Sequence, residues 1–256
     1  MTKESNLVQS VERAFLILEL LRDNRQEMGV REIAERVNLN VTTVHRFLKT
    51  LISVRAIRQN PRTHQYSLAP TMILYGKAVV DQFDFIRCAH PLLGELSKTV
   101  GETAFMGILD DYELVYVDHV DSLDHTLRIT PQIGRRQHAH CTSLGKVLLA
   151  NLPQSNLNIF LSRTSFPKLT ENTLNTPEML RVEFETIRHQ GYGLDKEEAE
   201  IGICCVAAPV IGLEGSVIAA ISVSGPASRI RNKGIDTFLR ENVVKTARNI
   251  STSFLA

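Results

Sequence analysis

The sequence predicts an α+β protein: an N-terminal winged helix-turn-helix domain, a linker helix, and a C-terminal α+β domain with a mainly antiparallel sheet. Three observations predict it. Two short amphipathic runs within residues 30–51 are split by a turn too tight to be a domain linker. A strand-turn-strand pattern with a basic tip follows directly. The remaining chain then runs strands, helices, strands and a final helix, an order that suits an α+β domain. The expected boundaries are residues 1–69, 70–86 and 87–256.

The opening helix covers LVQSVERAFLILELLRD (7–23), with Val11, Ala14, Phe15, Leu18 and Leu21 read as its core face. In VREIAERVNLNVTTVHRFLKTL (30–51), Ile33, Ala34 and Val37 recur at helical spacing. Val44, Phe47, Leu48 and Leu51 repeat that pattern after Asn38-Leu39-Asn40, which sets the helix-turn-helix at about 30–49. Asn40 is placed to cap the second helix with its side-chain oxygen. The wing is Ala56–Gln59 and Gln65–Leu68 around the turn Asn60-Pro61-Arg62-Thr63. Pro70 suits the first turn of a helix over Thr71–Phe85. Its apolar residues Met72, Ile73, Tyr75, Val79, Val80 and Phe83 form a stripe wide for a tether, to be covered either by a second copy of the chain or by its own domains.

A further helix runs from Asp84 to Gly101, with Leu92, Leu93 and Leu96 inward and Pro91 kinking or starting its main segment. Strand-type runs follow at Thr103–Leu109, Glu113–Val120 and Thr126–Ile129, the first two joined by a turn at Asp110-Asp111. Helical patterns cover Ser143–Asn151 and Thr176–Gln190, the second closed by Gly191. Strands at Cys204–Ile211 and Ser216–Ser224 flank Gly212-Leu213-Glu214-Gly215, and a last helix covers about Asn232–Phe254.

Composition bounds the function. With 43% hydrophobic and 22% charged residues, the 256-residue chain can bury real cores and is not a disordered chain. No run of eighteen apolar residues exists, and the MTKESN start lacks a signal peptide's plan, so the expected location is the cytoplasm, without membrane partners. Cys88, Cys141, Cys204 and Cys205 form no CxxC pair, and reduced thiols are expected. Residues 1–75 carry 11 Lys and Arg against 7 Asp and Glu, while the remainder carries 18 against 21. A basic front on a mildly acidic body fits a DNA-reading domain joined to something else.

Chemistry follows from the residue types. Thr42, Thr43, His45, Arg46 and Lys49 form the polar face of the second helix, suited to phosphates and base edges in a major groove. Arg31, Asn40 and the wing's Arg62 complete the expected DNA-contacting set, and Arg58 and His64 also sit on the wing. Ser143-Leu144-Gly145-Lys146 matches the S-x-x-K motif of acylating serine enzymes but lacks S-D-N and K-T-G companions. His138, His140 and Cys141, with Asp195 or Cys205, match no standard zinc spacing. Asp195-Lys196-Glu197-Glu198 reads as a solvated acidic loop, able to do acid–base work only inside a cleft. Cysteines 204 and 205 should point to opposite faces of their strand.

SVERAF (10–15), the 30–51 stretch, IGRR (133–136) and HCTSLGKVLLA (140–150) together resemble the IclR family of transcriptional regulators. The resemblance continues through GYGLDKEE (191–198), CVAAPV (205–210) and AISVSGPASR (220–229), so it covers nearly the whole chain. It implies a GAF-like effector domain that binds a small carboxylate-bearing metabolite, and assembly as a homodimer or dimer of dimers. It marks Ser143, Leu144, Asp195, Cys205, Ser222 and Ser224 as the effector site. Two departures stand out: Ser143 replaces a residue often smaller or apolar, and Cys204 stands where the family usually has arginine.

The expected function is therefore a ligand-responsive DNA-binding regulator, more a repressor than an activator, acting on a roughly palindromic double-stranded operator that controls catabolic genes. No cofactor, metal or catalytic residue is expected. Resemblance in VYVDHVDS and IGRR leans toward sugar acids as effectors. Asp195 is expected to accept a hydrogen bond from an effector hydroxyl or amide. The alternatives are an enzyme fused to a DNA-binding domain, using Ser143, Asp195 or Cys205, and a constitutive DNA binder with no small-molecule pocket.

Overall fold

A computed structural model describes residues 7–24, 26–80, 84–127, 129, 132–163 and 165–253. The chain divides into two compact units, Met1–Gln82 and Phe83–Ala256.

In the first unit, α1 (Gln9–Asp23), α2 (Val30–Arg36) and α3 (Val41–Ser53) close on a two-stranded wing, β1 (Ile57–Gln59) and β2 (Tyr66–Leu68). The core is Ile17, Leu21, Met28, Ile33, Val44, Leu48, Leu51, Ile57 and Tyr66. Asn38 makes the turn in the left-handed region at φ 52°, a conformation Asn tolerates better than most residues. Asn40 Oδ1 then accepts from Thr43 N–H at 2.7 Å, closing the first turn of α3. At the wing tip, Glu27 Oε2 accepts from Asn60 Nδ2 at 2.7 Å and Thr63 Oγ1 at 3.2 Å, tying the hairpin to the segment before α2. A helix α4 (Met72–Val80) ends the unit.

One expectation changes here. The buried face of α1 is Ile17 and Leu21, flanked by Ala14 and Leu18, while Val11 and Phe15 are exposed. AFLILELL offers two apolar stripes about one residue out of phase, and periodicity alone does not choose between them. Helix α4 is described from Met72 to Val80 and the next helix from Asp84; the middle of the tether helix expected over Thr71–Phe85, residues 81–83, lies outside the described residues. Ile73, Leu74, Tyr75 and Val79 are exposed on α4; the Val80 side chain and Phe83 lie outside the described residues.

The second unit is built on a six-stranded antiparallel sheet of order β5-β4-β3-β8-β7-β6. Its strands are β3 (Thr103–Asp110), β4 (Glu113–Val120), β5 (Arg136–His138), β6 (Gly193–Lys196), β7 (Ile203–Ile211) and β8 (Val217–Pro226). Pleating sends alternate residues to opposite faces. Ala104, Met106, Cys204, Val206, Ile221 and Val223 pack with Leu93 and Leu96 of α5 (Asp84–Val100) and Val243, Ala247 and Ile250 of α10 (Arg240–Ser253). Phe105, Leu114, Ala207 and Ala220 face α6 (Ser143–Ala150), α7 (Gln154–Arg163) and α8 (Pro177–Gln190).

The segment expected as a strand at Thr126–Ile129 shows bends at Thr126 and Leu127, with Leu127 exposed; Arg128 lies outside the described residues. The edge beside β4 is instead filled by β5, which pairs with Glu113–Val115. The final helix is interrupted: α9 (Ala227–Asn232), then Gly234 at φ 81°, a π-helical turn at Ile235–Leu239, and α10. A side chain at such a φ is strained, so a glycine there ends one helix and redirects the chain. Helix α7 and strand β6 were not expected from periodicity.

Candidate functional site

The polar surface of the first unit comes from the phase of α3. Val44, Leu48 and Leu51 are buried, which turns Thr42, His45, Arg46 and Lys49 outward; Thr43 is half-buried. Arg31 and Arg62 are also exposed, and Arg58 Nε donates to Ser67 Oγ at 3.2 Å. Asn40 is only partly available to a ligand, because its oxygen is engaged as the cap.

In the second unit, sheet register gathers residues that are distant in sequence. Asp195 pairs with Cys205, Cys205 with Ser224, and Ser222 lies between Ala207 and Phe105. Residues directly opposite in an antiparallel ladder project to the same face. Over that face sits the start of α6, reached through a 3-10 turn at Ala139–Cys141. Gly145 permits the approach: a Cβ there would lie 2.3 Å from Ala139 O. The result is a cavity of about 470 Å³ lined by Ser143, Leu144, Asp195, Cys205, Ser222 and Ser224, together with Phe105, Tyr116, Arg135, Gln137 and Cys141.

Its polar groups fall into two sets. Thr142 Oγ1 accepts from Gly145 N–H at 3.2 Å, and Lys146 N–H reaches Thr142 O at 2.9 Å. The N–H groups of Ser143 and Leu144, one turn earlier, have no acceptor within the helix and stand where an anion is favoured. Arg135, exposed at the rim, makes no side-chain hydrogen bond or ion pair among the described residues, whereas Arg136 is held by Asp110 and Glu113. Tyr116 Oη donates to Gln137 Oε1 at 3.1 Å, and burial raises its pKa.

The acidic set differs from the solvated loop that Asp195-Lys196-Glu197-Glu198 suggests: Lys196 is exposed, but Asp195 and Glu198 are buried. Asp195 is 2% exposed and Glu198 6% exposed, because β6 adds Asp195 to the sheet and the chain turns inward after it. Asp195 Oδ1 accepts from Glu198 N–H at 2.8 Å. Burial is the main cause pushing the Asp195 carboxyl up to about 7; nearby Glu198 adds to it, while backbone N–H groups and Lys146 oppose it. Lys146, 1% exposed, donates to Glu183 Oε1 at 2.8 Å and Glu198 Oε1 at 2.6 Å. Burial works against its charge, but the two carboxylates outweigh it and the Lys146 pKa is raised.

These contacts decide between chemistries. Lys146 is committed to carboxylates and is no base for Ser143, which dissolves the S-x-x-K reading. Cys205 Sγ lies 2.9 Å from Ser224 Oγ and 3.9 Å from Asp195 Oδ2, and burial pushes its thiol pKa well up, so it lacks an activating base. His140 Nε2 sits 3.2 Å from Pro167 O, and no group of three His, Cys, Asp or Glu among the described residues is placed to hold a metal. Cys204 packs into the opposite core, so an arginine missing there removes nothing from the cavity wall. Tyr116, Gln137 and Phe105 were not singled out in the sequence; alternation along VYVDHV and the IGRR stretch were the available signals.

The IclR helix-turn-helix domain model matches residues 10–61, and the model described as bacterial transcriptional regulator IclR C-terminal matches residues 77–252. The HTH-type transcriptional regulator KdgR of Dickeya chrysanthemi is 36% identical over 97% of this chain and 81% of its own. XynR of Escherichia coli K12 is 38% identical over 91% of this chain and 92% of its own. The crystal structure of the Thermotoga maritima IclR superimposes with a TM-score of 0.76 at 29% identity, covering 94% of this chain and 98% of that one. These relatives are transcriptional regulators, not enzymes. Matched in both its DNA-binding and its C-terminal domain, the chain belongs to the IclR family of transcriptional regulators.

Proposed function

We propose that this regulator is a repressor of catabolic genes, released from a roughly palindromic operator by a small organic acid. The observation that carries the reading is the single cavity shared by Ser143, Leu144, Asp195, Cys205, Ser222 and Ser224. These residues come from four separate stretches of sequence, and open N–H groups and Arg135, unpaired among the described residues, stand beside them. Hydroxyls and amides can grip carboxylate and hydroxyl oxygens, and Arg135 adds a cation able to bind a carboxylate in two-pronged fashion. Sugar acids are the first class to test.

On the DNA side, Arg31, Thr42, Thr43, His45, Arg46, Lys49 and Arg62, with Asn40 as cap, are the proposed contacts. Exposed Val11 and Phe15 on α1 and Ile73, Leu74, Tyr75 and Val79 on α4 support a homodimer, or a dimer of dimers, that reads two half-sites. The cytoplasm is the proposed location, where its DNA would be. Effector binding shifts the assembly only by its differential affinity for the DNA-bound and free arrangements.

The test is a thermal-shift screen of hydroxy-, keto- and sugar acids, followed by operator titration with each hit. One acid is expected to stabilise the protein and weaken operator binding. If no acid in the panel does either, the effector assignment fails while the DNA-binding assignment stands.

A further inference from the structure

The cavity poses an electrostatic problem: a carboxylate ligand must sit beside a buried aspartate. Asp195 Oδ1 accepts from the Glu198 backbone N–H, the Ala199 backbone N–H also favours the charged carboxyl, and Oδ2 lies 3.9 Å from the Cys205 thiol. The lysine behind it, Lys146, is already shared by Glu198 and Glu183. Three carboxyl groups therefore lean on one cation, and Glu198 Oε2 is itself buried without a hydrogen-bond partner. The thiols of Cys141, Cys204 and Cys205 and the Tyr116 phenol also feel Asp195, and burial favours the neutral form of each. Arg135 lines the same cavity at its exposed rim.

We propose that Asp195 serves this cavity as a protonated hydrogen-bond donor, its Oδ2–H meeting a carboxylate or keto oxygen of the ligand, so that an acid is bound together with one proton. The inference rests on the proposed effector site and refines which ligand atoms it accepts. Two carboxyl groups in contact in a buried site share a proton because both cannot stay ionised. The direction of the free carboxyl, raised chiefly by burial, agrees. The consequence for specificity is that Asp195 selects an acceptor atom on the ligand, not the hydroxyl expected from the sequence.

The test uses the full-length chain with carbon-13-labelled aspartate and acetate as the probe, because acetate carries a carboxylate and no hydroxyl. Following the carboxyl resonance that Asp195→Asn removes, we expect Asp195 to titrate near neutrality and its midpoint to rise when acetate is added. Acetate binding should weaken about tenfold between pH 6 and pH 8. Asp195→Asn should keep its oxygen on the Glu198 N–H and present an NH₂ donor to the cavity. It should therefore bind acetate at pH 8 as tightly as wild type does at pH 6, with no pH dependence. A midpoint near 4 in the free protein overturns the proposal and leaves the cavity assignment intact. A neutral midpoint that acetate does not move, or an Asn variant that loses acetate binding, overturns it as well. A cavity that no acid in the screen occupies removes the site reading instead, whatever Asp195 titrates at.

Discussion

The two units use polar side chains in opposite ways. On α3, Thr42, His45, Arg46 and Lys49 are exposed, so holding them ready for a ligand costs little desolvation. In the second unit, Ser143, Asp195 and Ser222 are each 2% exposed and Ser224 5%. A buried polar group left without its partner costs more than it returns when paired, a penalty large for a charged group and modest for a neutral hydroxyl. DNA contact through an exposed basic face is strong in aggregate, salt-dependent and tolerant of single losses. Small-molecule contact through a buried polar wall is selective, because each group there must find its partner away from water. Under the proposed assignment, one chain joins a surface that searches to a cavity that discriminates.

The comparison is broken most severely at Lys146. Lys146→Met leaves Glu198 without its cation in a buried site, and loss of one partner of such a pair costs about 3–5 kcal/mol. Hydrogen exchange should show the loss in α6 and α8 while amides of α3 keep their protection. Equal loss in both units would show that the buried cluster is not confined in its effect.

Next in size is the pH dependence of the second unit. Asp195 is pushed to about 7 when folded, above an unfolded value near 3.9. The folded chain then holds the extra proton between those values, so stability falls as pH rises through that window. The cost is absent below about pH 4 and reaches at most about 4 kcal/mol above pH 7. Asp195→Asn should be the more stable protein at pH 8, with the difference closing toward pH 4 in denaturant melts. An unchanged difference across that range would place the Asp195 carboxyl in contact with water.

On the exposed side, Arg46→Ala should cost about 1–3 kcal/mol of operator affinity and relax sequence preference if Arg46 reads a base. If it meets only phosphate, affinity should fall uniformly and the salt slope should drop by about 1. Wild-type binding at every salt concentration would mean that another face of α3 enters the groove. The smallest expected effects are at Ser222→Ala and Ser224→Ala, about 0.5–1.5 kcal/mol of effector affinity each by calorimetry. Operator affinity without effector should not move. A change there would mean that the serines hold the fold and not the ligand.

Legibility from sequence also differed between the units. The helix-turn-helix was readable almost residue by residue, since its caps, turn and apolar stripes lie within a few residues of one another. Asn40 capping Thr43 is a contact between neighbours three apart. The misphased face of α1 shows the limit, because choosing Ile17 over Phe15 needs the surface it packs against. In the second unit, helix α8 with its Thr176 cap was equally legible, but the four-residue β6 was not. A strand that short has no periodicity of its own and exists because β7 offers an edge.

The sequence by itself determined the local grammar: which segments are helices and wings, that the front is basic, and which motifs place the chain in a regulator family. It named the cavity residues only through family resemblance. Tertiary structure alone decided that Asp195, Cys205 and Ser224 lie in one row, because register between strands is a long-range property that composition does not encode. It also decided that Lys146 is locked between Glu183 and Glu198 and that Asp195 is buried. A side chain's charge state depends on what surrounds it in space, and those neighbours are supplied by chain segments far away in sequence.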